Sequence, residues 1–310
     1  MSQVKGRKAK GASRKSASPS RKKTPEVTPR KPKPETKPAK KKPEARPVPD
    51  KPEVTPVPDK PDATPVPDKP EMPGTDEPTF TLLIPTLNEI EGMKAIMPLI
   101  DRAWVDQILV VDGNSEDGTA EWARDQGYEV YVQKRKGIRH AYIEALPLIK
   151  GDITITFSPD GNSIAELIPP LCAKMREGYD MVIVSRYLDD AKSDDDDLIT
   201  GFGNWLFNRV INRLHGGNYT DCMVMFRAWR TSTFTELGLH REDAYAPERW
   251  WGTILGCEPL LSVRAAKAGL RIGEIPGDEP PRLGGERKLQ IVRWGGAYMS
   301  QVFRELYFWR

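Results

Sequence analysis

Short apolar segments rich in β-branched residues alternate with helix-like segments in the later part of the chain, and this alternation restricts the fold most. The strand-like segments are residues 80–84, 107–111, 129–132, 152–157 and 180–184. Between them, residues 90–102, 117–126, 137–148 and 164–178 carry apolar residues at helical spacing. Strands that alternate with helices of this length indicate βαβ units. The sequence therefore predicts an α/β domain with a mainly parallel sheet flanked by helices.

Residues 1–78 differ in composition from the rest of the chain. They hold 18 of the 29 prolines, and the first aromatic residue of the chain is Phe80. They carry 20 Lys and Arg against 11 Asp and Glu, a net of +9, whereas residues 79–310 carry 27 against 33, a net of −6. A segment without aromatic residues cannot bury enough apolar surface to offset its ordering entropy. We therefore predict a disordered tail over 1–78 and one folded domain over 79–310.

The tail has two parts of opposite charge. Residues 1–42 hold 16 basic and 2 acidic residues, a net of +14. Residues 43–78 repeat Pro-Val-Pro-Asp-Lys-Pro three times, from Pro47, Pro56 and Pro65, which is typical of an extended polyproline spacer. The basic part is either a solvated segment or a contact for anionic lipid or nucleic acid.

Cysteine usage and hydropathy restrict the location of the protein. Cys172, Cys222 and Cys257 are odd in number and widely spaced, which favours buried thiols in a reducing compartment over disulfides or a zinc site. No apolar stretch follows the basic N-terminus, and no run of about 18 apolar residues occurs that could form a membrane-spanning helix. We expect a cytoplasmic protein that is peripherally associated with a membrane.

Polar residues follow three of the predicted strands, at 85–89, 112–119 and 158–163. Ligands of open α/β sheets bind beyond the carboxyl ends of the strands, so these segments are the candidate site. Asp112 is the most informative residue. A carboxylate at the end of an apolar strand is costly unless donors reach it, and a bound base or sugar would supply such donors.

These segments resemble the family 2 glycosyltransferases with the GT-A fold. The similarity begins with Ile84-Pro-Thr-Leu-Asn-Glu89 and Val110-Val-Asp-Gly-Asn-Ser-Glu-Asp-Gly-Thr119, and continues with the Asp-bearing loop after the fourth strand. Further on, Ser185-Arg-Tyr187, Thr220-Asp-Cys-Met-Val-Met-Phe-Arg-Ala228 and Gly284-Gly-Glu-Arg-Lys-Leu289 are similar to the branch of dolichyl-phosphate mannose synthases and polyprenyl-phosphate glycosyltransferases. The resemblance spans roughly 80–295. It implies a Rossmann-like GT-A enzyme that moves a hexose from a GDP- or UDP-sugar to a polyprenyl or dolichyl phosphate, by single displacement with inversion.

The resemblance also assigns donor-binding residues. Pro85, Glu89 and Asp112 would line the nucleotide pocket, and Asp160 would bind Mg²⁺ or Mn²⁺ on the donor diphosphate, with Asn162 as a second metal ligand. Hard cations prefer oxygen ligands of this kind. The chain departs from the family at Ser158, which stands where the first Asp of the Asp-x-Asp motif is expected, and at Leu87, where Tyr is common.

Basic residues downstream match positions that bind phosphate or the acceptor in the family, namely Arg186, Arg227, Arg287 and Lys288. Guanidinium groups form paired hydrogen bonds with phosphate oxygens. Asp221 and Arg227 are also expected to form an ion pair beside the acceptor.

Acidic residues are candidates for the general base. An acceptor hydroxyl would need one, and Asp221 or Glu258 could serve; Glu258 could equally stabilise the helix that it begins. The run of aspartates at 194–197 is expected to be a solvated loop without ligand spacing.

Two segments have the amphipathic pattern of interfacial helices. In residues 202–214 apolar side chains recur at helical spacing, with Arg209 and Arg213 expected on the opposite face; residues 294–310 are rich in aromatics. Packing against the domain is the alternative for both. Two further functions stay open: transfer to a saccharide or protein acceptor, and a weakened glycosyltransferase-like scaffold, which Ser158 and the basic tail suggest.

Overall fold

A computed structural model describes residues 77–283 and 291–309, and within them seven strands form one sheet in the order β3-β2-β1-β4-β6-β5-β7. The strands are β1 Phe80–Thr86, β2 Gln107–Asp112, β3 Glu129–Val132, β4 Ile153–Thr156, β5 Met181–Ser185, β6 Arg227–Arg230 and β7 Ile272–Pro276. β6 is antiparallel to β4 and β5, and the other pairs are parallel. The predicted mainly parallel α/β sheet is confirmed.

Helices cover both faces of the sheet. They are α1 Ile90–Ile96, α2 Thr119–Asp125, α3 Ile138–Ala145, α4 Ile168–Arg176, α5 Leu198–His215, α6 Thr233–Glu236, α7 Pro247–Trp251, α8 Glu258–Lys267 and α9 Ile291–Arg304. Successive side chains of a strand point to opposite faces, so Leu82 and Ile84 pack with α1 and α4, whereas Leu83 packs with α3, α5, α8 and α9. The two apolar cores fix the sheet between two helical layers.

The direction of the strands places the loops of the site together. β1, β2, β3, β4, β5 and β7 run the same way, so their carboxyl ends lie at one edge, where the antiparallel β6 begins. We call this the carboxyl edge. The polar strand ends predicted from the sequence all lie there.

The C-terminal segment is held against the domain by a buried ion pair. Arg264 of α8 donates through Nε to Glu305 at 2.9 Å, and both side chains are at most 2% exposed. Packing therefore holds one side of this segment, although Val292 and Tyr307 stay more than four-fifths exposed.

The three cysteines are buried and free, as predicted, and burial raises the pKa of the Cys172 thiol to about 11. Among the described residues, no helix has both the length and the apolar character needed to cross a bilayer.

The predicted tail lies outside the described residues except for Glu77 and Pro78. Its predicted disorder and the predicted division at residue 78 remain predictions.

Candidate functional site

A cavity of about 480 Å³ lies at the carboxyl edge of the sheet. Its walls come from the loop after β4, the loops after β5 and β7, the segment before β6, and helices α5 and α9. Of the predicted site residues, Asp160, Asn162 and Arg186 line it, together with Ser158. We call this space the site cavity.

The loop after β4 supplies the oxygen atoms of the site cavity. Asp160 is 5% exposed and Asn162 is 9% exposed. The Asn162 backbone N–H donates to Asp160 Oδ1 at 3.1 Å, which turns the loop so that both side chains reach the cavity. Gly92 of α1 permits this position, because a Cβ there would lie 2.3 Å from the Pro159 carbonyl oxygen.

The same loop fits a divalent cation. Asn162 Oδ1 is buried and has no hydrogen-bond partner among the described residues, and a buried acceptor of this kind is costly unless a ligand occupies it. Together with the Asp160 carboxylate it provides the hard oxygen donors that Mg²⁺ and Mn²⁺ prefer. No cluster of three or more His, Cys, Asp or Glu side chains with metal-site geometry occurs in the described ranges, so protein groups would fill only part of the coordination shell.

Arg282 reaches Asp160 from the segment after β7, and sequence reasoning missed it. Its Nη1 lies 3.4 Å from Asp160 Oδ2, and the Leu283 backbone N–H donates to the Asp160 carbonyl at 2.8 Å. Gly161, with φ of 95°, makes room for Leu283, because a Cβ at Gly161 would lie 2.7 Å from that side chain. A lone Arg after Pro280 and Pro281 carried no signal of this contact.

Arg186 lines the site cavity, but carboxylates already occupy its guanidinium. It donates to both Asp221 oxygens, at 2.6 and 3.0 Å, and to Glu279 at 3.0 Å. Burial alone would lower the pKa of Arg186, but the charges of Asp221 and Glu279 hold it well above its ordinary value. The expected ion pair between Asp221 and Arg227 is wrong, since Asp221 pairs with Arg186. Asp221 is fully buried and does not line the cavity, which disfavours it as a general base.

Arg227 is a structural residue in this fold rather than a phosphate ligand. It is fully buried, and it donates to the Val224 carbonyl through Nε at 2.8 Å, to Ser262 at 2.9 Å and to the Cys222 carbonyl at 3.2 Å. These bonds join the segment before β6 to α8. No surface of the guanidinium remains for an acceptor phosphate.

Glu258 lies outside the lining of the site cavity. It begins α8 and accepts a hydrogen bond from Tyr142 at 2.8 Å, and it is 7% exposed. Burial, followed by the charge of Glu258, raises the pKa of Tyr142 well above its ordinary value. These contacts favour the structural interpretation of Glu258 over the catalytic one.

Pro85, Glu89 and Asp112 lie at the carboxyl edge but outside the lining of the site cavity. Asp112 is 1% exposed, and protein groups supply its donors: Ser115 at 2.9 and 2.5 Å and Thr86 at 3.2 Å. The argument that a ligand must satisfy this carboxylate is therefore wrong. The nucleotide contacts predicted for Pro85, Glu89 and Asp112 remain predictions.

The prediction that the aspartates at 194–197 form a solvated loop is wrong for Asp195 and Asp196, which are partly buried, although Asp194 is exposed. Asp197 accepts from the backbone N–H groups of Ile199 and Thr200, at 2.9 and 2.8 Å, and so begins α5 with a capping box. Asp196 accepts from Tyr187, and Asp195 is turned inward with a side chain that is 19% exposed. Sequence reasoning missed these contacts because a charge run does not indicate which side chain turns inward.

A basic loop after β3 was also missed. Lys134, Arg135 and Lys136 follow the strand at the carboxyl edge, and Gly137, with φ of 103°, precedes α3. The lining of the site cavity includes Ile138 directly after it. Basic residues in a βα turn were the available signal. The predicted phosphate ligands Arg287 and Lys288 lie outside the described residues.

Comparisons with known proteins agree with this architecture. The model of glycosyl transferase family 2 matches residues 81–238. Glycosyltransferase AglJ of Haloferax volcanii is 29% identical over 225 residues, which cover 72% of this chain and 70% of that protein. Undecaprenyl-phosphate mannosyltransferase of Micrococcus luteus is 30% identical over 233 residues, 69% of this chain and 92% of that protein.

Solved structures have the same GT-A fold. Mannosyl-3-phosphoglycerate synthase from Rubrobacter xylanophilus has a TM-score of 0.52 at 22% identity, with 74% of each chain covered. Glucosyl-3-phosphoglycerate synthase from Mycobacterium tuberculosis, in complex with Mn²⁺, UDP and phosphoglyceric acid, has a TM-score of 0.51 at 20% identity, with 74% and 79% covered. The chain belongs to glycosyl transferase family 2, in its polyprenyl-phosphate glycosyltransferase-like branch, and is a transferase with the GT-A fold.

Proposed function

We propose that this enzyme transfers a hexose from a nucleoside diphosphate sugar to a polyprenyl-type phosphate at a membrane surface. The observation that carries the proposal is the site cavity itself. Buried oxygen atoms of Asp160 and Asn162 form one wall, and Ile199 of α5, an apolar side chain that is 62% exposed, borders the same space. Such a cavity can hold a charged donor while an acceptor head group enters from an apolar surface.

The donor half of the proposal rests on Asp160 and Asn162. These residues would hold a divalent cation, which would supply charge neutralisation to the departing diphosphate. A structural relative was solved with Mn²⁺ and UDP, which supports the same chemistry here. Arg282, at 3.4 Å from Asp160, would lie near the diphosphate charge.

The acceptor half of the proposal rests on the ionised state of a lipid phosphate. A lipid phosphate is ionised at neutral pH, so its oxygen can attack the anomeric carbon without a general base. The new carbon–oxygen bond forms as the bond to the diphosphate breaks, and the nucleoside diphosphate leaves with that electron pair. The described lining of the site cavity contains no histidine, and Asp221 is held by Arg186. A relative named as an undecaprenyl-phosphate mannosyltransferase supports this acceptor.

The membrane contact rests on the exposed side of α5. Phe202 and Trp205 are 61% and 53% exposed, and their rings stack with the centroids 5.6 Å apart. Phe207 and Ile211 of the same helix are buried and face the core. The Arg209 guanidinium lies 5.9 Å from the Trp205 ring, so it shares this exposed side rather than the opposite one. An apolar surface flanked by a cation suits an anionic bilayer.

A donor screen tests the reaction. We expect the purified protein to convert one of GDP-mannose, UDP-glucose or UDP-N-acetylhexosamine, with polyprenyl phosphate in detergent, into an organic-soluble glycolipid and free nucleoside diphosphate. Asp160→Ala should lower the rate at least about 100-fold, because the metal ligand is lost. The exposed Asp194 provides the matched control, and Asp194→Ala should act like the wild type. Sugar that stays water-soluble on a saccharide or protein acceptor would replace the lipid proposal, and activity indifferent to Asp160→Ala would contradict the metal site.

Vesicle sedimentation tests the membrane contact. Trp205→Glu should weaken binding to vesicles of anionic phospholipid about 10-fold, because a charge enters the apolar surface. Leu99 is equally exposed, at 53%, but follows α1 on the other side of the sheet, so Leu99→Glu is the matched control. Equal binding by the two variants would rule out α5 as the membrane contact.

A further inference from the structure

We propose that Asp195 is the second carboxylate of the divalent-cation site and replaces the acidic residue that Ser158 does not provide. The inference deepens the proposed function and rests on it. Ser158 stands where the family motif has its first Asp, and a hydroxyl carries no charge at neutral pH. Asp195 lies in the segment before α5, 37 positions after Ser158 in the chain.

Arg282 contacts both carboxylates and so places Asp195 beside Asp160. Its Nη1 lies 3.4 Å from Asp160 Oδ2, and its Nε lies 3.5 Å from Asp195 Oδ2. One guanidinium thus bridges two carboxylates on different loops. Two negative charges held this close favour a divalent cation more strongly than a single positive charge.

Asn162 gives an independent indication of a ligand at the same place. Its Nδ2 lies 3.5 Å from Asp195 Oδ2, while its Oδ1 is buried without a hydrogen-bond partner among the described residues. The amide therefore lies beside Asp195 with one unsatisfied acceptor. Two carboxylates and an amide oxygen form a hard-oxygen donor set, and donor phosphates would complete it.

The segment that carries Asp195 is fixed at both ends, so this position is built into the fold. The Lys192 backbone N–H donates to Asp278 at 2.8 Å, and the Asp194 backbone N–H donates to the Glu279 carbonyl at 2.9 Å. On the other side, Asp197 caps α5. Anchors on both sides fix the backbone that carries Asp195, and its two neighbours Asn162 and Arg282 line the site cavity.

Manganese binding provides a test that does not depend on sugar transfer. Free Mn²⁺ would be measured by electron paramagnetic resonance on the full chain, with and without UDP or GDP. We expect Asp195→Asn to weaken Mn²⁺ binding by about 10-fold to 100-fold, and Asp160→Asn to do the same. Asp194→Asn, one residue away and exposed, should bind like the wild type. Arg282→Gln should tighten Mn²⁺ binding without nucleotide, because the competing guanidinium is gone.

The outcomes separate this inference from the proposed function. If Asp195→Asn binds Mn²⁺ like the wild type while Asp160→Asn does not, Asp195 is not a metal ligand. The proposed glycosyl transfer would still stand. If the wild type binds no Mn²⁺ under any condition, the site itself is wrong. Failure of lipid glycosylation with normal Mn²⁺ binding would instead overturn only the acceptor. Far-ultraviolet circular dichroism of each variant distinguishes ligand loss from unfolding.

Discussion

At the scale of single residues, the arginines show how the fold determines which partner a side chain binds. The family resemblance implies that Arg186 and Arg227 bind phosphate or the acceptor, and guanidinium groups do pair with oxygen anions. In the structure, carboxylates hold the first and backbone carbonyls hold the second. The residue type predicts the class of partner, an oxygen atom, but the fold decides whether that atom belongs to a ligand or to the protein. For the same reason, the contacts of Asp195 and Arg282 could not be found from the sequence.

The first prediction concerns Arg227. Arg227→Lys should lower the free energy of unfolding by about 2 kcal/mol, because a single ammonium cannot serve carbonyls and a hydroxyl in several directions, and buried acceptors lose charged donors. Urea denaturation at neutral pH would measure this.

Arg230 at the other end of β6 provides the control. Its side chain is 30% exposed and pairs with Asp180 at 3.0 Å, so Arg230→Lys should cost about 0.5 kcal/mol or less. Equal losses for Arg227→Lys and Arg230→Lys would contradict the structural role of Arg227.

At the scale of secondary-structure elements, the turn between β3 and α3 shows how one side chain fixes a loop. Glu144 of α3 accepts from the backbone N–H groups of Lys134 and Arg135, at 2.7 and 3.1 Å, and its side chain is 11% exposed. One carboxylate thus fixes the basic loop against its helix. Sequence periodicity predicts this helix well, but β6 and β7 escape prediction. β6 is only four residues long with Arg at both ends, and β7 contains Gly273 and Pro276, which are uncommon in strands.

Glu144 leads to the second prediction, which concerns pH. Burial alone would raise the pKa of Glu144, but hydrogen bonds from Lys134 and Arg135 lower it below the ordinary value of 4.5. A carboxyl group with a lowered folded-state pKa stabilises the protein above its unfolded pKa, and this contribution is lost as pH falls through the folded value.

Glu144→Gln should therefore lower the free energy of unfolding by about 2 kcal/mol at pH 7. Thermal unfolding from pH 7 to pH 3 would measure the difference from the wild type, which should shrink below a pH of roughly 4.5. A difference that stays constant over this range would contradict the role of the charge.

At the scale of the whole molecule, the alternation of strands and helices was sufficient to predict the sheet, its mainly parallel order and the edge that carries the site. This succeeds because buried parallel strands need continuous apolar segments, and crossover helices fix their direction. The exposed side of α5 was predicted in part. Helical spacing gave its amphipathic character, but only the packing of Phe207 and Ile211 established that Arg209 shares the exposed side.

Charge distribution along the whole chain gives the last prediction. Residues 1–42 carry a net of +14, whereas residues 79–310 carry −6, so an anionic bilayer would attract the first and repel the second. Basic residues near such a surface contribute about 1 kcal/mol each, and salt screens them. Deleting residues 1–42 should therefore reduce binding to anionic vesicles at least about 10-fold at low salt, with little difference at 1 M salt. Neutral vesicles serve as the control, and duplex DNA as the competing ligand. Unchanged partitioning at low salt would exclude the tail as a membrane contact, and a salt-dependent loss of DNA binding alone would assign it to nucleic acid.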